Sequence, residues 1–165
     1  MLVARGARIV YAVDVGRGQL LDRLARDPRV ISMERTNLRT LDRLPEPIDL
    51  ATLDLSFISL RLVLPAVRAL LAGEGKVITL VKPQFEAGRV AVPRGGVVRE
   101  WATHRGVLLQ FGEYAASAGF SPVAVISSPI VGADGNREFL AVLRSGVGPA
   151  PDWSSQVDRL APSPV

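Results

Sequence analysis

One lysine stands out as a candidate for proton-transfer chemistry, because the chain uses almost no lysine elsewhere. Of the 20 basic residues, all but Lys76 and Lys82 are arginine. Arginine cannot be deprotonated in a protein, whereas a partly desolvated lysine can. Lys76 follows a Gly-Glu-Gly turn and is interpreted as solvated, while Lys82 ends an apolar stretch. Lys82 is therefore the candidate for chemistry that arginine cannot do, with a strand-end lysine reaching solvent as the alternative.

Two acidic residues also follow apolar stretches. Asp54 lies in LDLSFISL, at the carboxyl end of a predicted strand, where α/β folds bind their ligands. The alternative is that it caps the next turn or helix. Asp14 ends the stretch RIVYAVDV and is followed by Gly16. In nucleoside-binding α/β folds an acidic residue at the end of the second strand holds ribose hydroxyls, so Asp14 is a candidate ribose ligand.

The elements that position these residues alternate between apolar runs and helical patterns, which is typical of a parallel sheet with crossover helices. We predict strands over 8–15, 30–34, 48–55, 76–81, 122–127 and 138–143, helices over 19–26, 60–71 and 101–118, and a long loop over 83–99. No helix separates the last two strands, so they are predicted to form an antiparallel hairpin. Residues 146–165 are rich in Pro and Ser and are predicted to be a flexible tail.

Four segments, YAVDVGRGQL, MERTNLR, LDLSFISL with VKPQFE, and GADGNREFL, together resemble TlyA-type (hemolysin A-like) ribosomal RNA ribose 2′-O-methyltransferases of the FtsJ/RrmJ-like superfamily. The block VKPQFEAG followed by GGVVR is the most specific. The resemblance covers residues 1–145 and implies a partial methyltransferase domain. Its fold would be α/β, a Rossmann-like S-adenosylmethionine-dependent methyltransferase sheet with C-terminal antiparallel strands. The family's S4-type RNA-binding domain, first strand and Gly-rich cofactor loop would lie upstream of Met1.

The resemblance also implies site residues. Ribose methylation in this family uses a Lys-Asp-Lys-Glu set, of which Asp54, Lys82 and Glu138 match three members and the first lysine would lie upstream. Without the motif, Glu138 would be an edge-strand charge. S-adenosylmethionine is the implied cofactor, with Asp14, Asn37 and Asp54 as candidate ligands, although Asn37 could equally be a turn residue. No metal is needed, because the sulfonium already activates the methyl group.

Ribosomal RNA is the implied partner, and the loop arginines Arg89, Arg94 and Arg99 are candidate phosphate contacts or merely solvated residues. Phe57 and Phe85 are expected in the core, although an exposed one could stack on a base. His104 is expected on a helix surface.

Composition narrows the remaining alternatives. The net charge of +4 suits an anionic partner without demonstrating one, and the absence of cysteine excludes disulfides and Cys-based zinc sites. No signal peptide or membrane-spanning run is visible, so a cytoplasmic protein is expected. Three alternatives stay open: a non-catalytic RNA- or ribosome-binding remnant, a membrane-active hemolysin, and an unrelated nucleotide-binding Rossmann domain. The hemolysin is weakly supported, because the chain has no long Lys-rich amphipathic segment.

Overall fold

The computed structural model describes residues 1–88, 92–93, 95–146, 148 and 151–162. The chain forms two compact units, Met1–Asp42 and Arg43–Val165. Strands and helices alternate in both, so the predicted α/β class is confirmed.

The first unit is built on a pair of short parallel strands. β1 (Val10–Val13) pairs with β2 (Val30–Met33), in register from Val10 opposite Val30 to Val13 opposite Met33. Parallel strands need a crossover connection, and the crossover here contains the short helix α1 (Asp22–Ala25). The helix predicted over 19–26 is therefore reduced to a single turn.

The second unit contains a four-stranded sheet and four helices in the described residues. In chain order the elements are β3 (Ile48–Leu53), α2 (Leu64–Leu70), β4 (Leu71–Val81), α3 (Pro83–Glu86), α4 (Trp101–Ser117), β5 (Phe120–Ser127), β6 (Phe139–Ser145) and α5 (Trp153–Asp158). A 3-10 turn at Leu60–Leu62 precedes α2. The helix predicted over 60–71 is thus split, and the loop predicted over 83–99 begins with one helical turn.

The sheet has the order β3-β4-β6-β5. β3 and β4 are parallel, whereas β6 is antiparallel to both β4 and β5. The predicted C-terminal antiparallel pair is therefore confirmed, and β6 lies between its hairpin partner and β4. This insertion sets the first residue of β6, Phe139, opposite Val81, the last residue of β4.

The core of the second unit follows the periodicity of its strands and helices. In β4 the residues Val77, Thr79 and Val81 are buried, and their neighbours Lys76, Ile78 and Leu80 are more exposed, as expected for side chains that alternate between two faces. Helix α4 covers the sheet with buried Val107, Leu108, Phe111 and Ala115. At 17 residues α4 is the longest described helix, and none in the described part of the chain is suited to crossing a membrane.

The C-terminal segment differs from the flexible tail expected for 146–165. Residues Trp153–Asp158 form helix α5, and Val157 is fully buried. The Trp153 indole donates a hydrogen bond to the Leu108 carbonyl at 2.8 Å and packs against Phe111. An ion pair of Asp158 with Arg105 and a hydrogen bond from Gln156 to the Val123 carbonyl add to these contacts. The segment is thus docked, although its Pro- and Ser-rich composition pointed to disorder. Residues 147, 149–150 and 163–165 lie outside the described part.

Candidate active site

The Lys82 amine lies against two side chains from the loop that follows β3. The parallel strands β3 and β4 end at the same edge of the sheet, so Asp54 and Lys82 emerge side by side. The Lys82 Nζ atom is 2.7 Å from Asp54 Oδ1 and 3.1 Å from Ser56 Oγ. The lysine side chain is only 13% exposed, whereas that of Asp54 is 75% exposed. A largely buried amine is therefore held from one side by a carboxylate that remains open to solvent.

The same loop presents an aromatic ring to solvent. Phe57 has a φ of +63°, a left-handed conformation that is uncommon for residues other than glycine, and the residue is 91% exposed. Its ring contacts Phe85 at a centroid distance of 5.1 Å. The expectation that Phe57 belongs to the core is therefore wrong, because the loop turns the ring outward one residue after Ser56.

Glu138 lies across the sheet from Lys82 but binds a different residue. The pairing of Val81 with Phe139 sets the two positions opposite each other at the end of β4. The Glu138 carboxylate is buried and accepts a hydrogen bond from Gln84 Nε2 at 2.9 Å. No ion pair joins Glu138 to Lys82, both of which are described. The structure thus brings Asp54 and Lys82 together and connects Glu138 to the turn that follows Lys82.

Glu86, to which sequence reasoning assigned no role, ties this region together. Its carboxylate accepts hydrogen bonds from Ser59 Oγ at 2.7 Å, from the Leu60 backbone N–H at 2.8 Å and from the Tyr114 hydroxyl at 2.9 Å. Burial and the nearby charge of Glu86 raise the pKa of Tyr114, so the phenol stays protonated and donates a hydrogen bond to the carboxylate. The one signal in the sequence was the position of Glu86 in VKPQFE, four residues after Lys82. That position did not identify its hydrogen-bond partners.

Two buried side chains fix the backbone at Gly96 and Val98, near the end of the predicted 83–99 loop. Asn136 accepts from the Val98 N–H and donates to the Gly96 carbonyl, both at 3.1 Å. His104 Nε2 lies 3.0 Å from the Val98 carbonyl. His104 is 3% exposed, so the surface position expected for it is wrong, and burial lowers its pKa. The ring packs edge-on against Phe139.

The predicted RNA-contacting arginines are only partly covered by the structure. Arg99 is exposed, one residue after the anchored Val98. Arg89 and Arg94 lie outside the described residues. Their proposed role in RNA binding therefore stays a prediction.

The candidate cofactor ligands of the first unit lie at the ends of its strands. Asp14 follows β1, is exposed, and accepts a hydrogen bond from the Gly16 N–H through Oδ1. A shallow cavity there is lined by Ala12, Val13, Asp14, Gln19, Leu20, Ser32 and Glu34. The Asn37 side chain accepts from the Arg39 N–H at 3.0 Å and so caps the 3-10 turn Leu38–Thr40. This contact is the one expected of a turn residue.

The chain is similar to proteins of known family and structure. The FtsJ-like methyltransferase family matches residues 1–145. The 16S/23S rRNA (cytidine-2′-O)-methyltransferase TlyA of Mycobacterium tuberculosis is 44% identical over 149 residues, which are 88% of this chain and 55% of that protein. The chain thus spans little more than half of that relative.

Comparison with solved structures identifies proteins of similar fold. A protein from Streptococcus thermophilus, provisionally described as a hemolysin, superimposes with a TM-score of 0.86 at 42% identity over 96% of this chain and 60% of its own. The N-methyltransferase NodS of Bradyrhizobium japonicum, in complex with S-adenosyl-L-homocysteine, superimposes with a TM-score of 0.56 at 14% identity. The superposition covers 83% of this chain and 66% of NodS. At that identity the similarity concerns the fold alone, which is the Rossmann-like sheet expected from the sequence.

Proposed function

Because this chain belongs to the FtsJ-like methyltransferase family, we propose that it transfers a methyl group from S-adenosylmethionine to a ribose 2′-hydroxyl of ribosomal RNA. The observation that carries this proposal is the contact of a largely buried Lys82 amine with Asp54 and Ser56 at one edge of the sheet. A ribose hydroxyl is a weak acid and a poor nucleophile, so its methylation needs a group that can accept its proton.

The two contacts orient the amine for that task. In the ion pair with Asp54 the amine carries three protons, so it must first release one to solvent before it can accept a proton from the ribose. The neutral amine that results has two N–H groups and one lone pair. If Asp54 and Ser56 accept from the two N–H groups, the lone pair points away from both and can receive the ribose proton. The methyl donor, when bound, supplies a methyl group already activated by a sulfonium. Alignment of hydroxyl and methyl carbon then contributes much of the rate.

We propose that residues of the first unit bind the nucleoside part of the cofactor. Asp14 is exposed and its carboxylate uses Oδ1 for the Gly16 N–H, so Oδ2 would accept a hydrogen bond from a ribose hydroxyl. The adjacent cavity is lined by polar Gln19, Ser32 and Glu34 as well as apolar residues. These features fit the nucleoside of S-adenosylmethionine, with Asp14 as its ribose ligand. Asn37 is a weaker candidate, because its side chain already caps a turn.

The RNA would lie over the exposed face of the Asp54–Ser59 loop. Phe57 offers an accessible ring one residue from Ser56, and RNA-binding proteins stack unpaired bases on such rings. Arg99 and the other basic residues of this chain add attraction for phosphates. We propose that the base of the target nucleotide stacks on Phe57 while its ribose faces Lys82.

A transfer assay tests this function directly. Radiolabelled S-adenosylmethionine is incubated with ribosomal RNA and either this chain or any longer protein that contains it, and the labelled nucleoside is identified by digestion. Label in a 2′-O-methylated nucleoside is the expected result, and Asp54→Asn should reduce it. Label confined to bases would refute ribose specificity. RNA binding without cofactor binding or transfer, in both proteins, would instead favour a non-catalytic RNA-binding role.

A further inference from the structure

The loop that holds Lys82, Asp54–Ser59, is itself held at both ends. Its start, Asp54, follows β3, which is fixed by pairing with β4. Its end is fixed by Glu86, which binds the Ser59 hydroxyl and the Leu60 N–H with different carboxylate oxygens. Asp54 stands at the first end, and Ser56 and the exposed Phe57 lie between the two. The left-handed conformation of Phe57 indicates that the loop does not adopt its shape from local preference alone.

Glu86 and Lys82 belong to the same short stretch of backbone. Pro83 opens α3 directly after Lys82, and Glu86 is the last residue of that turn. Two hydrogen bonds attach α3 to the rest of the unit, because Gln84 binds Glu138 and Glu86 binds Tyr114 of α4. Glu86 therefore links the turn that follows Lys82 to the far end of the Asp54–Ser59 loop.

We propose that Glu86 is a positioning residue for the Lys82–Asp54 pair, acting through the Asp54–Ser59 loop. Its catalytic meaning rests on the proposed methyl transfer, but its structural effect does not. A carboxylate suits the position because all three of its partners are hydrogen-bond donors, and such charge-assisted bonds are about twice as strong as neutral ones. Without it, the loop would keep its anchor in β3 and the buried Leu60 side chain, but lose both hydrogen bonds that hold Ser59 and the Leu60 N–H.

Three variants of the full chain separate this role from general stability. Glu86→Ala removes all three bonds. Glu86→Gln keeps an amide oxygen that can still accept from the Leu60 N–H. Tyr114→Phe is the matched control, because it removes the contact of Glu86 with α4 and leaves both loop contacts intact.

Two measurements by NMR report on the loop and on the lysine. The first is hydrogen exchange of the Leu60 amide, with the buried Leu108 in α4 as the reference for global opening. The second uses the fact that Lys76 and Lys82 are the only lysines. Selective ¹⁵N labelling of lysine therefore gives two side-chain signals, of which exposed Lys76 is the internal control.

We expect Glu86→Ala to speed exchange at Leu60 at least about tenfold relative to Leu108, the change that loss of one hydrogen bond to a charged group produces. The Lys82 signal should move while that of Lys76 stays in place. Glu86→Gln should give a smaller change, and Tyr114→Phe should leave both readouts near those of the parent. If Glu86→Ala does not fold, Glu86→Gln decides by the same two readouts.

Unchanged exchange at Leu60 together with an unchanged Lys82 signal would overturn the proposal. Its catalytic part is tested by kinetics in a parent that transfers methyl groups: kcat should fall in Glu86→Ala and be largely recovered in Glu86→Gln, with the KM for S-adenosylmethionine unchanged. A parent without transfer would refute the proposed function, while the exchange and lysine measurements would still decide whether Glu86 holds the loop.

Discussion

Replacing Lys82 with arginine separates the positive charge of this side chain from its ability to give up a proton. A guanidinium can keep the ion pair with the exposed Asp54 carboxylate, but it stays protonated at any pH at which the protein is folded. General-base catalysis contributes about 10²- to 10⁴-fold to a rate. At about 1.4 kcal/mol per factor of ten, loss of the base should raise the barrier by roughly 3 to 5 kcal/mol.

The effect of this substitution on stability should be smaller. The Lys82 side chain is 13% exposed, so the larger guanidinium must displace some neighbours, at a cost of about 1 to 3 kcal/mol. Loss of the ion pair would add little, because Asp54 is 75% exposed and solvent screens such pairs to about 1 kcal/mol or less. Urea unfolding of both proteins shows whether the variant remains folded at the assay temperature.

The assay is single-turnover methyl transfer to ribosomal RNA, using whichever protein containing this chain is active, with cofactor affinity measured separately by calorimetry. We expect Lys82→Arg to abolish transfer while the affinity for S-adenosylmethionine stays within a few-fold of the parent. A variant that keeps more than about a tenth of the parent rate, equivalent to a barrier change below roughly 1.4 kcal/mol, would show that Lys82 is not the base.

Three further predictions concern stability and RNA binding. Trp153→Ala should lower the free energy of unfolding in urea denaturation by less than the cost of about 3 to 5 kcal/mol for a fully buried aromatic, because Trp153 packs on Phe111 but is only half-buried. Phe57→Ala should change that free energy by less than about 0.5 kcal/mol, because the ring is exposed, but should weaken RNA binding by about 1 to 3 kcal/mol through lost stacking. Burial lowers the folded-state pKa of His104, so neutral His104 contributes fully to stability above about pH 6.5. As the pH falls below this value, the free energy of unfolding should decrease by at most about 1.4 kcal/mol per pH unit, which denaturation at several pH values measures.

Each of these has a result that would contradict it. A Trp153→Ala variant as stable as the parent would mean that α5 does not contribute to the fold in solution. Equal RNA affinity of Phe57→Ala and parent would remove the ring from the RNA surface. For His104 the control is His104→Gln, which cannot titrate, so a pH dependence identical to that of the parent would assign the slope to other groups.

The sequence identified both members of the Asp54–Lys82 pair, as strand-end residues and through the family resemblance. The apolar runs before Asp54 and Lys82 predict two strands, and the alternation with helices predicts that the strands are parallel. The family resemblance implied that the two residues share a site, and the structure adds the reason: β3 and β4 are neighbouring parallel strands that end at the same edge. The same sequence patterns predicted the α/β class and the antiparallel final pair, both of which are confirmed.

Contacts between distant parts of the chain decided the rest. His104 has a helical environment that gives no sign of burial, and only the Val98 carbonyl and Phe139 explain it. Phe57 is apolar, yet a left-handed turn exposes it. A Pro- and Ser-rich composition concealed the docking of Trp153.

The acidic residues show the same division between local and long-range information. Glu138 and Glu86 both lie in recognisable sequence motifs, but the motifs do not identify their hydrogen-bond partners. These partners can lie far away in the chain, as Gln84 and Glu138 do, which are 54 positions apart. Strand periodicity repeats every two residues and helix periodicity every 3.6, so both can be read from a short segment. The partner of a buried carboxylate depends on which segments the fold brings together, and no local pattern carries that information.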